Sequence, residues 1–79
     1  MPQFFLHLHE CGKISEDREG SDCSDLEEAV ALATTSARDV MAWELRSGKL
    51  CLGCHIAIGD EAGAEVARVR FRDVVAITG

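Results

Sequence analysis

The chain has 79 residues, an apolar fraction of 47%, a charged fraction of 28% and a single proline. This composition is that of an ordinary globular protein and excludes a disordered chain, and the length predicts a single small domain over residues 1–79. The net charge of −6 argues against nucleic acid and anionic membrane surfaces as partners, because the molecule repels their phosphate groups. No segment has the length and hydropathy of a membrane span, and the N-terminus lacks the features of a secretion signal. We therefore expect a cytoplasmic protein whose four cysteines are reduced.

The first residues of the chain predict a β-hairpin. Apolar and other residues alternate from Phe4 to His9 with the period of a strand. One face of this strand carries Phe4, Leu6 and Leu8, and the other carries Phe5, His7 and His9. A reversal at Gly12 leads to a short second strand that turns Ile14 toward the core. An acid-rich loop follows, and the spacing of its carboxylates is not that of a calcium-binding EF-hand.

A long helix is predicted between Ser24 and Gly48. Ser24 and Glu27 have the spacing of an N-terminal capping box, and a glycine commonly follows a helix C-terminus. One apolar stripe recurs at steps of three and four residues. It consists of Leu26, Ala29, Val30, Ala33, Ala37, Val40 and Met41. The helix would contain about 23 residues and extend roughly 34 Å.

Two further strands follow the helix, joined by a turn at residues 60–63. The first turns Cys54, Ile56 and Ile58 inward. The second turns Ala67, Val69 and Phe71 inward and Arg68, Arg70 and Arg72 outward. The element order is therefore ββαββ, an α+β fold with one long helix packed across one face of a small antiparallel sheet. The apolar tail after residue 72 either extends the last strand or docks on the sheet.

Several segments together resemble a family of short bacterial proteins that is classed only as a domain of unknown function. They are the opening MPQFFLHL, the acidic loop and helix start DREGSDCSDLEEA, the helix end RSGKL, and the hairpin IAIGDEAGAEVARVRF. The resemblance covers nearly the whole chain. It implies a small bacterial α+β domain, and no activity, cofactor or catalytic residue comes with it.

The stretch CLGCH, residues 51–55, carries the most specific chemical pattern. Cys-x-x-Cys-His is the attachment sequence of c-type haem, but strand alternation turns Cys54 inward and His55 outward, so these groups diverge. Zinc needs four ligands, so Cys51, Cys54 and His55 would need a further ligand from His7, His9, Cys11 or Cys23. These four residues do not include a second closely spaced pair of ligands. As a redox dithiol, the pair lacks a following helix N-terminus to lower a thiol pKa. The sequence therefore assigns no metal, cofactor or catalytic residue, and a small zinc or redox protein using Cys51, Cys54 and His55 is the alternative hypothesis.

The other polar residues that could form a functional site can also be explained as ordinary structural or surface residues. No serine or cysteine has an evident base and orienting group, so no enzyme is predicted. His7 and His9 are expected on a half-wet sheet face. The stripe of Arg68, Arg70 and Arg72 is expected to pair with the acidic segment of this chain or of a second subunit, although it has the chemistry to grip phosphate or carboxylate. Glu44 is expected to reach solvent or an arginine.

The leading hypothesis is a non-catalytic interaction module that forms a homo-oligomer, most simply a dimer. The predicted helix is longer than the strands beside it and places Val40, Met41 and Trp43 in an overhang. Together with Phe5 on the uncovered sheet face and the three arginines, these residues form the predicted interaction surface. No small-molecule ligand can be named from the sequence.

Overall fold

The structure is a computed structural model that describes residues 1–79. In chain order its elements are β1 (Gln3–Glu10), β2 (Lys13–Ser15), β3 (Ser21–Asp22), α1 (Leu26–Arg46), β4 (His55–Gly59), β5 (Glu65–Arg70) and a 3-10 helix (Phe71–Asp73). The predicted α+β class and the packing of one long helix against an antiparallel sheet are confirmed. The two-residue strand β3, within the acidic segment, is an addition to the predicted elements.

The sheet has the order β2-β1-β4-β5, and all of its neighbours are antiparallel. The first strand in the chain therefore lies at the centre, beside β4. On the face toward the helix, Leu6 is opposite Ile58 and Leu8 is opposite Ile56. The short strand β3 pairs with the beginning of β1, where Phe4 is opposite Ser21. This central pairing of β1 with β4 positions the candidate site described below.

The core fills the space between α1 and the inner sheet face. The helix presents mainly alanine to the sheet, which lets the two elements approach closely, and Phe71 is completely buried between them. The buried cluster comprises Phe4, Cys23, Ala29, Ala33, Ala37, Met41, Cys54, Ile56, Ile58, Val69, Phe71 and Val74. The predicted alternation of inward residues in β1, β4 and β5 is consistent with this cluster.

The helix begins one residue later than its capping pattern predicts. Asp25 is the N-cap, and its carboxylate accepts a hydrogen bond of 2.9 Å from the backbone N–H of Glu28. The Ser24 hydroxyl instead donates to the Glu28 carboxylate at 2.7 Å. At the other end, Gly48 has φ +82°, the left-handed conformation that the prediction required of it.

The prediction that Ile14 points to the core is wrong. Ile14 is 61% exposed and lies opposite His9 in the pairing of β2 with β1. Residues that are directly opposite each other in a sheet share a face, so Ile14 lies with His9 on the side away from the helix.

The predicted overhang of the helix is also shorter than expected. Met41 is only 4% exposed and belongs to the core, so its assignment to an interaction surface is wrong. Val40 is half-buried and packs against the same core, whereas Trp43 is 71% exposed. Met41 is the last buried position of the helix, so only residues 42–46 project beyond it.

The tail docks rather than continuing the last strand. Val74 is buried in the core, and its carbonyl oxygen accepts a hydrogen bond of 2.9 Å from Nε of Arg38 on the helix. No helix in the structure combines the length and apolar character that crossing a membrane demands.

Candidate functional site

Three cysteines from two distant segments meet at one end of the sheet. The Sγ atoms of Cys11, Cys51 and Cys54 all lie within 4.8 Å of one another. The sulfur atoms of Cys11 and Cys51 are 3.0 Å apart. Cys11 is exposed, Cys51 is half-buried and Cys54 is buried. We call these three residues the thiol cluster.

The strand pairing explains why these residues meet. His9 near the end of β1 is opposite His55 at the start of β4, so the residues that follow His9 lie beside those that precede His55. Cys11 occupies the turn after β1, next to the segment that carries Cys51 and Cys54. A turn at Leu52 and Gly53 brings the latter two sulfur atoms to the same side, as in the knuckles that hold metal ions.

The three thiols differ in their readiness to ionise. Hydrogen bonds from Cys11 and then Cys54 lower the pKa of Cys51. The same contact with Cys51 raises the pKa of Cys11. Burial, followed by the hydrogen bond to Cys51, raises the pKa of Cys54 to about 12. The arrangement therefore favours a thiolate at Cys51 that accepts hydrogen bonds from two neutral thiols, and a thiolate is the form of cysteine that binds metals.

A carboxylate without a hydrogen-bond partner shares the groove of the thiol cluster. The groove has a volume of about 440 Å³ and is lined by Glu10, Cys11, Lys13, Glu44, Lys49, Leu50, Cys51 and Cys54. Oε1 of Glu44 is shielded from solvent and accepts no hydrogen bond. Such an unpaired buried oxygen destabilises the folded protein, because it has lost its hydrogen bonds to water. A cation in the groove would supply the missing interaction. Glu44 is predicted from the sequence to reach solvent or an arginine; it makes no ion pair with an arginine, and its side chain is only half-exposed.

His55 does not join the cysteines that precede it. Cys54 is 2% exposed on the core side, whereas His55 lies on the outer sheet face, where its ring stacks on His9 at a centroid distance of 4.4 Å. This is the divergence that strand alternation predicts. The five residues CLGCH therefore do not form one site, and the contiguous ligand set required for c-type haem is not assembled.

The other candidate ligands also lie elsewhere. Nδ1 of His7 accepts a hydrogen bond of 3.1 Å from the backbone N–H of Asp17. Cys23 is buried near the chain start, where its N–H donates to the carbonyl of Pro2. Of the four residues considered from sequence as completing a zinc site, only Cys11 meets the Cys51 and Cys54 pair.

The remaining members of the predicted interaction surface lie on the outer face of the sheet. Phe5 is half-buried beside the acidic loop, where a Cβ added to Gly20 would lie 2.9 Å from its ring. Arg68, Arg70 and Arg72 are exposed at the other end of this face. Their one ion pair joins Arg68 to Glu65 at 3.1 Å, so the acidic segment does not neutralise the arginines within the chain.

Comparison with known proteins gives a family and no activity. Searches of curated proteins and of solved structures return no match. The model of one family, the domain of unknown function DUF6894, matches residues 3–72. This match spans every strand and the helix, and the chain belongs to the DUF6894 family.

Proposed function

We propose that the protein is a non-catalytic metal-binding domain that holds a thiophilic ion, with Zn²⁺ as the first candidate, in the thiol cluster. The observation that carries this proposal is the convergence of three sulfur atoms within 4.8 Å. Three ligands at Zn–S distances of about 2.3 Å in a tetrahedron have sulfur atoms roughly 3.8 Å apart. The distances of 3.0 Å for Cys11 with Cys51 and at most 4.8 Å for the other pairs bracket that value.

Glu44 is the candidate for the fourth ligand, although its carboxylate lies outside the set of ligand atoms within 4.8 Å of one another and would have to move toward the sulfur atoms when an ion binds. Carboxylate oxygen is an accepted zinc ligand, and Oε1 of Glu44 is buried in the same groove without a partner. Four protein ligands would leave no open coordination position, which is typical of structural rather than catalytic zinc. Lys13 and Lys49 line the groove, and their charges would offset the excess negative charge of three thiolates.

Metal titration of the reduced protein tests this proposal. One Co²⁺ per chain should bind and give thiolate-to-cobalt charge-transfer absorption, and Zn²⁺ should displace it. The variants Cys11→Ser and Cys54→Ser should bind Co²⁺ more weakly and show less charge-transfer absorption per bound ion, because each removes one of three sulfur ligands. Glu44→Gln should weaken binding at least about tenfold, the lower limit for losing a residue that only supports a metal site from outside its ligand set.

Two variants provide matched controls. Cys23→Ala removes a cysteine outside the cluster, and His55→Ala removes the histidine of the CLGCH stretch; both should retain one metal ion per chain. Loss of the ion in His55→Ala but not in Cys11→Ser would contradict the proposal. Absence of stoichiometric loading in the reduced wild-type protein would also contradict it.

A second candidate function is self-association through the end of the helix. Trp43 is 71% exposed and Leu45 is 59% exposed, and tryptophan is the residue most enriched among those that dominate the energetics of protein interfaces. Burial of Trp43 by a second copy of the chain would remove this apolar surface from water. Metal binding and self-association use different residues, so the protein can have both functions.

A further inference from the structure

A second pocket lies on the outer face of the sheet, and its lining is strongly basic. The pocket has a volume of about 330 Å³ and is formed where β4 begins and β5 ends, with Arg70 opposite His55 in the sheet. Its lining residues are Leu52, Gly53, Cys54, His55, Arg68, Arg70 and Arg72. No carboxylate is among them, although the chain contains 14 acidic and only 8 basic side chains. We call this feature the arginine pocket.

The charges of the arginine pocket are largely unpaired. Arg68 is held by Glu65, at 3.2 and 3.3 Å for its two hydrogen bonds. Arg72 donates from Nε to the carbonyl oxygen of Leu52 at 3.4 Å, which orients it without neutralising it. Arg70 makes neither an ion pair nor a side-chain hydrogen bond. Two positive charges of the pocket therefore lack a counter-charge within the chain.

A histidine with an unsatisfied ring nitrogen lines the same pocket. Nε2 of His55 is shielded from solvent and has no hydrogen-bond partner, whereas buried polar atoms in proteins are nearly always paired. His55 is fixed by stacking on His9, so it cannot easily turn its ring toward solvent. The His55 ring therefore forms a fixed wall of the arginine pocket.

We propose that the arginine pocket binds the phosphate group of a small molecule. Guanidinium groups bind phosphate with paired N–H donors in a geometry that an ammonium group cannot reproduce. The ligand is compact rather than polymeric, because the other five basic side chains are outnumbered by the 14 acidic ones and a long polyanion would be repelled beyond the pocket. This inference does not depend on metal binding at the thiol cluster, although Cys54 lines both cavities.

The test is a titration of the reduced, metal-free protein with inorganic phosphate at constant ionic strength, followed by amide chemical shifts. We expect saturable shifts that are confined to residues 52–55 and 68–72. Arg70→Gln should weaken binding at least about tenfold, the factor expected for losing one hydrogen bond to a charged group. Arg46→Gln is the control, because it changes the net charge by the same amount outside the arginine pocket. Arg46 lies over the Trp43 ring at 5.9 Å, so the Arg46→Gln variant should bind phosphate as the wild type does.

Three results would overturn the proposal. Shifts that stay linear to tens of millimolar phosphate would mean that the pocket has no specific affinity. Equal weakening in Arg70→Gln and Arg46→Gln would attribute binding to overall charge. If a short single-stranded oligonucleotide bound more tightly than phosphate, and its affinity fell steeply with salt, the arginines would instead bind a polymeric partner. Because Arg70 is exposed, its substitution should leave the fold intact, and the unliganded spectrum of the variant verifies this.

Discussion

Asp17 anchors the acidic loop to the first strand. Its carboxylate accepts hydrogen bonds from the backbone N–H groups of Leu6, Glu19 and Gly20 at 3.0 to 3.2 Å. Burial acts to raise the pKa of Asp17, but the hydrogen bonds from the N–H groups of Leu6, Gly20 and Glu19 outweigh it. The pKa of Asp17 is therefore lower than its ordinary value. One charged side chain thus satisfies three backbone donors, and that of Leu6 lies between the stretches of β1 that pair with β3 and with β2.

Asp17→Asn should reduce the free energy of unfolding at pH 7 by about 1 to 3 kcal/mol, since an amide cannot accept with both of its polar atoms. The folded-state pKa of Asp17 lies below its ordinary value of 3.8, so the unfolded chain takes up the proton first as the pH falls. The stabilisation is therefore complete above about pH 4 and is lost as the pH decreases through the folded-state pKa. Urea unfolding between pH 2 and 7 measures both effects.

Glu16→Gln is the control for this prediction. Glu16 is an exposed neighbour that makes no side-chain hydrogen bond, so its loss of charge should leave the stability at pH 7 nearly unchanged. If both variants were destabilised equally, the effect would come from the charge of the loop and not from the bonds that Asp17 accepts.

Single residues also show where sequence reasoning stops. Alternation correctly predicts that Cys54 and His55 point to opposite faces, because the period of a strand is local information. Cys11 and Cys51 are 40 positions apart, and they meet because β1 pairs with β4. No local pattern specifies which strands are neighbours, so the sequence could offer Cys11 only as one of four possible completing ligands.

At the scale of elements, the beginning of α1 shows how two adjacent capping residues divide their roles. The sequence S-D-L-E suggests Ser24 as N-cap with Glu27 three residues later. In the structure Asp25 accepts from the N–H of Glu28, while Ser24 binds the Glu28 side chain. The observed arrangement satisfies the N–H group of Glu28 at the start of the helix. Ala29, Ala33 and Ala37 are buried as the predicted apolar stripe requires.

Asp25→Ala should destabilise the protein by about 1 kcal/mol, the usual effect of removing an N-cap. Ser24→Ala should cost clearly less, because its hydroxyl contacts an exposed side chain and not the helix backbone. Thermal unfolding of the two variants separates these roles. A larger loss of stability in Ser24→Ala would restore the serine as the N-cap.

The fold was more predictable than the sites because most elements carry a strong periodic signal. The 21 residues of α1 and the alternation in β1, β4 and β5 follow from one amphipathic pattern each. The two-residue strand β3 has no such pattern and forms because it lies beside the start of β1. Ile14 was misplaced for the same reason: a three-residue strand is too short for alternation to identify its inner face.

At the scale of the whole molecule, self-association predicts a concentration-dependent mass. If Trp43 is central to a dimer interface, Trp43→Ala should raise the dissociation constant about thirtyfold, corresponding to roughly 2 kcal/mol. Sedimentation velocity from micromolar to millimolar protein measures this, and tryptophan emission should shift to shorter wavelength as the dimer forms.

Ile77→Ala is the matched control for the dimer. Ile77 is 69% exposed in the tail, so its removal deletes a similar amount of accessible apolar surface away from the helix end. A wild-type protein that remains monomeric at millimolar concentration would contradict self-association. Equal weakening by both substitutions would indicate a different interface.

The thiol cluster also has a consequence for the unfolded chain. Cys11 and Cys51 are separated by 40 positions, so a bond through them closes a loop that contains β2, β3 and the whole of α1. In the chain-entropy model, closing a loop of that length in a disordered chain costs roughly 4 kcal/mol. Folding has already brought the sulfur atoms together, whereas the unfolded chain would have to order this loop each time it held an ion at all three. An ion coordinated there would consequently bind the folded state much more tightly than the unfolded state. Its release would lower the free energy of unfolding, and the destabilised segment would include about half of the chain.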